Sequence, residues 1–180
     1  MKILFASDIH GSEYYAGKLV DKYKELKCHK MILLGDILYH GPRNDLPEGY
    51  NPKGVISLLN AMSDEILCVR GNCEAEVDQM VLDFSCMSES MVMFEGGRML
   101  FITHGHKFNT DNPPKLKKGD ILIHGHTHVQ TVAEFGENIY INPGSVSIPK
   151  ENNPPSFMIY EDGSFTIYDF DMNVLNEVTV

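Results

Sequence analysis

The chain has 180 residues, 43% of them hydrophobic and 9% aromatic, with 15 basic against 25 acidic side chains and a formal charge of −10. Its length suits a single domain over residues 1–180 with a core of ordinary size. Its charge excludes broad contact with nucleic-acid phosphates or an anionic membrane, and no apolar run nears the roughly 18 residues of a membrane span.

Lys2 to Ser7 is a short apolar run that stops at Asp8-Ile9-His10, and it reads as a buried strand. Asp8 also cuts the run too short for a signal peptide. Ser12 is placed to cap a helix reaching Cys28, with Tyr15, Leu19, Tyr23 and Leu26 at helical spacing. The strand Lys30 to Leu34 completes a βαβ unit and stops at Gly35-Asp36. His40 to Pro52 is rich in Gly and Pro and reads as a functional loop. Val55, Leu58, Leu59 and Met62 form a second helical stripe before the strand Glu65 to Arg70, which stops at Gly71-Asn72.

Cys73 to Phe84 predicts a short helix with Val77, Met80 and Val81 inward, followed by a strand such as Met91 to Phe94. Met99 to Thr103 runs into His104-Gly105-His106, and Asp120 to Ile123 runs into His124-Gly125-His126-Thr127-His128. Short strands then follow: Thr131 to Phe135, Ile139 to Asn142, Phe157 to Tyr160, Phe165 to Phe170 and Val174 to Val180, with Asp162-Gly163 as a hairpin turn. An early βαβ half and a late antiparallel half give an α/β (α+β) fold of two packed mixed β-sheets flanked by helices.

Five of these runs therefore end at a small residue and a metal-binding side chain. Loops leaving the carboxyl ends of strands in open α/β sheets form the ligand crevice, so the five ends should converge. On an extended backbone residues i and i+2 share a face, which lets Asp8 with His10, and His126 with His128, present two ligands each. With Asp36, Asn72 and His104 these make seven donors, more than one divalent ion takes, so two ions are expected with Asp36 as the bridge. Donors of nitrogen and oxygen suit Mn²⁺, Fe²⁺ or Zn²⁺. Two ions about 3.5–4 Å apart activate a shared water and stabilise both oxygens of an in-line displacement, which is the chemistry of phosphoester hydrolysis. The four cysteines form no Cys-x-x-Cys pair, which reads as reduced thiols in a cytoplasmic protein.

The order Asp-x-His, Gly-Asp, Gly-Asn, His and Gly-His-x-His, from Asp8 to His128, resembles the calcineurin-like metallophosphoesterases. His40-Gly41-Pro42-Arg43-Asn44, Leu46 to Tyr50, Gly71-Asn72-Cys73 and Asn142 to Lys150 are similar to the small bacterial phosphodiesterases of the YfcE type, and the resemblance covers nearly the whole chain. It implies a four-layer sandwich, one ion held by Asp8, His10, Asp36 and His128, and the other by Asp36, Asn72, His104 and His126. It further implies Mn²⁺ before Fe²⁺, Zn²⁺ or Ni²⁺, a small phosphodiester as substrate attacked by a bridging hydroxide, and a homo-oligomer, dimer or tetramer.

Many family members carry a His directly after the metal-binding Asn, whereas this chain has Cys73. A neutral thiol is a poor proton donor to a leaving group, and His40, His106 and His124 are the histidines outside the ligand set. Arg43 suits bidentate contact to phosphate oxygens. His106 reads equally as a site residue or as a hydrogen-bonding support, and Lys115, Lys117 and Lys118 read as a solvated loop. Three other functions compete. A non-catalytic scaffold of the same fold, as in the retromer subunit, is opposed by the complete donor set; a phosphomonoesterase shares the chemistry; and a nuclease is opposed by the acidic balance. A metallo-β-lactamase site is excluded because Val129-Gln130 supplies neither the Asp nor the His its motif requires.

Overall fold

The computed structural model describes all 180 residues. Strand β1 (Lys2–Ala6) lies parallel to β2 (Lys30–Leu33), which lies parallel to β3 (Ile66–Cys68). Helix α1 (Glu13–Glu25) makes the first crossover; Ser12 caps it by accepting from the Tyr15 N–H, and Ala16, Leu19, Val20 and Tyr23 are buried. Helix α2 (Pro52–Asn60) starts on its proline, buries Val55 and Leu59, and is followed by a 3₁₀ turn at Ser63–Glu65. The third strand is thus shorter than the apolar run that announced it.

Helix α3 (Glu76–Gln79) is only one turn long. Contrary to the inward stripe read from the sequence, Val77, Met80 and Val81 are exposed, and Leu82, Phe84 and Cys86 fill the core instead. The reason is that Gln79 donates to the Leu82 and Phe84 carbonyls and accepts from the Cys86 N–H, folding the chain back before a second helical turn forms.

Strands β4 (Ser90–Glu95), β5 (Arg98–Thr103), β6 (Ile121–Ile123), β7 (Thr131–Phe135) and β8 (Asn138–Asn142) form a second sheet in the order β4-β5-β6-β8-β7. Strands β9 (Ser156–Glu161), β10 (Ser164–Asp169) and β11 (Val174–Thr179) return to the first sheet, giving β11-β10-β9-β1-β2-β3. The β9–β10 turn is Asp162-Gly163, both at positive φ (49° and 84°), as a tight hairpin requires.

The first sheet is buried on both faces, which is why β1 and β2 read as unbroken apolar runs. Leu4, Ala6, Met31 and Leu33 pack with α1 and α2, while Ile3, Phe5, Ile32 and Leu34 pack against Leu100, Ile102, Ile121, Ile123 and Ile141 of the second sheet. On the far face of that sheet the loop after β5 lays Phe108 edge-on against Phe101, ring centroids 5.6 Å apart. No helix is long and apolar enough to cross a membrane. The four cysteines are free thiols.

Candidate metal centre

All seven donors gather where β1, β2, β3, β5 and β6 end. The backbone there is not extended: Asp8 (φ 59°), His10 (50°), Asp36 (56°), His126 (67°) and His128 (63°) all lie in the left-handed region. The pairs converge because the chain turns at each ligand, and not because i and i+2 share a strand face. Asp, Asn and His enter this region more readily than other non-glycine residues. The turned loops are held by backbone bonds that prolong the β1–β2 pairing, from Asp8 N–H to Gly35 O (3.1 Å), His10 N–H to Asp36 O (2.9 Å) and Gly11 N–H to Ile37 O (2.8 Å).

The small residue before a ligand also has a cause. A Cβ on Gly71 would lie 2.1 Å from Asp36 Oδ1, and one on Gly125 would lie 1.9 Å from Ser7 Oγ and 2.8 Å from Asp8 Oδ2. Neighbouring loops approach to backbone contact so that their donors can share one centre.

Three imidazoles are oriented alike. Nδ1 of His10 donates to Tyr39 O (2.7 Å), of His128 to Ile148 O (2.8 Å) and of His104 to Leu34 O (2.7 Å). Each bond fixes the ring and turns the Nε2 lone pair into the centre, the arrangement metal-ligating histidines adopt. His10 Nε2 and His128 Nε2 stand 3.4 Å apart, and Asp8 Oδ1, buried and without a hydrogen-bond partner, lies 3.5 Å and 3.2 Å from them. His104 Nε2 faces Asp36 Oδ2 (3.5 Å), Asn72 Oδ1 (3.0 Å) and His126 Nδ1 (3.1 Å). The Asn72 amide is turned by its Nδ2 donating to Cys73 Sγ (3.2 Å). Lone pairs that converge without protons between them fit divalent cations.

The electrostatics agree. Burial alone raises the Asp8 carboxyl, yet the facing His10, His128 and His104 hold it well below the usual carboxylate range. His10 is raised because Asp8 outweighs its burial, whereas burial and then His104 lower His126. Cys73 Sγ lies within 4.8 Å of His10 and Asp36 donor atoms, and burial followed by the Asp36 charge pushes its thiol well up. It therefore stays a neutral thiol, unsuited to attack phosphorus.

Above the donors opens a cavity of about 290 Å³, lined by the ligand side chains His10, Asp36, Asn72, His126 and His128 and by Arg43, Cys73 and Lys150. Asp8 and His104 lie beneath it. The His40 ring is not on its wall but packs edge-on against Tyr39 and Tyr50, and the His40 carbonyl accepts from Asn44. His106 lies beside the centre, ring centroids 5.4 Å from His104, and its buried Nδ1 has no partner; burial and then His104 lower it to about 4. His124 stacks on Tyr140 (4.5 Å) with Nδ1 on Gly125 O, and burial lowers it to about 4.

Two residues escaped the sequence reading. The buried Glu74 carboxylate accepts from the backbone N–H groups of Asp36 (2.9 Å), Ile37 (2.7 Å) and Gly71, clamping the loops after β2 and β3 together. Its place two residues after Asn72 was the only signal. Lys150 ends the stretch Asn142 to Lys150, noted in the sequence only for its resemblance; Ser145 Oγ and Ser147 Oγ in that stretch donate to the Asp8 carbonyl at 2.8 and 3.2 Å.

The calcineurin-like phosphoesterase superfamily domain profile matches residues 1–163. The phosphodiesterase YfcE of Escherichia coli K12 is 40% identical over 181 residues, covering 100% of this chain and 98% of that one. A solved structure described as YfcE, a phosphoesterase from E. coli, superposes with a TM-score of 0.96 at 40% identity, covering 99% of both chains. The probable metallophosphoesterase YsnB of Bacillus subtilis is 22% identical, covering 95% of this chain and 91% of that one.

Proposed function

Because the chain belongs to the calcineurin-like phosphoesterase superfamily and is a metal-dependent phosphoester hydrolase, we propose that it hydrolyses a small phosphodiester at a centre of two divalent ions. The observation that carries this reading is the set of seven donors around Asp8 and Asp36, three of its imidazoles pre-turned by backbone carbonyls. Asp8, His10, Asp36 and His128 would hold one ion, and Asp36, Asn72, His104 and His126 the other. When bound, such ions supply an ionised attacking water near neutral pH and draw charge from the phosphoryl oxygens.

The chain's own residues do the rest. Arg43, with five donors in a rigid fork, grips the non-bridging oxygens of the scissile group. Asn72 presents its amide oxygen inward because its nitrogen is spent on Cys73. Cys73 keeps its proton, so the departing alcohol leaves without help from that position. Among the Mn²⁺, Fe²⁺ and Zn²⁺ that the oxygen and nitrogen donor set suits, we propose Mn²⁺ as the working ion on the family resemblance, and a homo-oligomer on the apolar surface that Val92 and Phe94 expose along the edge strand β4.

The test is Mn²⁺ content together with turnover of bis(p-nitrophenyl) phosphate, for the wild type and Asp36→Asn. The wild type should hold two ions per chain, and Asp36→Asn should lose turnover by about 10³-fold or more, since an ion contributes several kcal/mol of transition-state charge stabilisation. Full activity in Asp36→Asn would rule out the shared centre.

A further inference from the structure

Arg43 and Lys150 both line the cavity, from opposite ends of the chain's machinery. The Tyr39 carbonyl, four residues before Arg43, orients His10; the Ile148 carbonyl, two before Lys150, orients His128. The Lys150 N–H itself donates to His128 O at 3.1 Å. Each cation is thus delivered by the segment that sets one of the two facing imidazoles, so its backbone position is fixed to the centre. Neither side chain forms an ion pair, although acidic residues outnumber basic ones by 25 to 15.

The charges do not balance around a simple diester. Two divalent ions exceed the carboxylates of Asp8 and Asp36 by two charges; an attacking hydroxide takes up one and the diester the other, which leaves Arg43 and Lys150 as the surplus. Arg43 already has the scissile group to grip. Lys150, exposed at the rim, is left free to meet a second charge on the substrate, in a cavity whose lining includes no Leu, Ile, Val, Met, Phe or Tyr. Apart from Pro42 such a wall gives an alkyl chain little to bury against, and about 290 Å³ sits at the small end of ligand pockets.

We propose that Lys150 binds a second anionic group, a carboxylate or a further phosphate, carried on one alcohol of the substrate, so that the substrate class is a compact, doubly charged phosphodiester. The inference rests on the phosphodiesterase reading above. Lys150 acts on specificity, by charge at one end of the substrate.

The test uses the Mn²⁺-loaded protein and p-nitrophenyl phosphodiesters whose second alcohol is ethyl, 2-carboxyethyl or 2-phosphoethyl, beside p-nitrophenyl phosphate. One charge-assisted contact should raise kcat/KM for the two anionic diesters by about 10-fold over the ethyl one, chiefly through KM, and added salt should shrink the gain. Lys150→Ala should bring that ratio below about 2-fold, and Lys150→Arg should keep it. Calorimetry with ethyl(methyl)phosphinate and (2-carboxyethyl)(methyl)phosphinate, which have no ester bond to hydrolyse, should show the same preference and its loss in Lys150→Ala. Equal kcat/KM and equal binding across the series would overturn the proposal. So would a monoester turned over faster than every diester, since the surplus charge would then serve its dianion. Diesters that are all inert with both ions bound would overturn the phosphodiesterase reading itself, and this proposal with it.

Discussion

The two sides of the centre are built differently. Asp8, His10 and His128 are 0%, 1% and 3% exposed, and both imidazoles are locked by carbonyls. On the other side only His104 matches them; Asn72 is exposed, and His126 is partly exposed and turns Nδ1 inward with no carbonyl behind it. Asp36 serves both. Locked, desolvated donors lose little freedom on binding a cation, and mobile ones lose more. The deep side should therefore fill first and hold its ion, and the open side should exchange.

Removing one donor from each side tests this contrast most severely. Asp8→Asn should retain no Mn²⁺ after desalting and lose about 10³-fold or more in kcat/KM. Asn72→Ala should keep one ion per chain after desalting and lose about 10²-fold, recovered in part by excess Mn²⁺. Metal analysis after gel filtration, with circular dichroism to establish folding, reads both. Equal retention by the two variants would erase the distinction between the sides.

Glu74 sharpens the contrast from behind, because it holds the backbone N–H of the shared Asp36 and of Gly71 beside Asn72. A glutamine there turns one acceptor oxygen into an NH₂ facing N–H groups. Glu74→Gln should lower Mn²⁺ affinity by about 10–100-fold, mostly for the second ion, with kcat returning to within a few-fold at saturating metal. A loss of kcat that saturating metal does not restore would mean Glu74 does more than set the loops.

Glu74 also marks where the sequence stops being legible. The apolar runs, the Ser12 cap and the Asp162-Gly163 turn follow local rules that depend on a few neighbours, and they were readable. So was the order of donors at strand ends. That Glu74 is buried, and that Asp36 sits at φ 56°, depend on loops more than thirty residues apart approaching to contact. No local periodicity encodes that approach. Val77, Met80 and Val81 mislead for the same reason: their spacing is helical, but the Gln79 contacts end α3 after one turn. The return of β9 beside β1, antiparallel with Lys2 opposite Glu161, is likewise a long-range choice among strands of similar composition.

The smallest expected effect lies at Cys73, on the open side. Its N–H donates to Asp36 Oδ1 at 2.8 Å, so the backbone is anchored to the shared carboxylate while the thiol points into the cavity. Burial and the Asp36 charge keep that thiol protonated, and a neutral thiol is a weak acid toward a departing alkoxide. Rate should then depend steeply on leaving-group pKa, with aryl diesters far ahead of alkyl ones. Cys73→His places a protonatable group on the same anchored backbone, and it should raise turnover of poor leaving groups by about 10-fold while changing activated ones little, flattening the slope. The slope of log kcat/KM against leaving-group pKa over one ester series reads this directly. An unchanged slope in Cys73→His would mean that no proton is missing at this position and that the open side already satisfies the departing oxygen by other means.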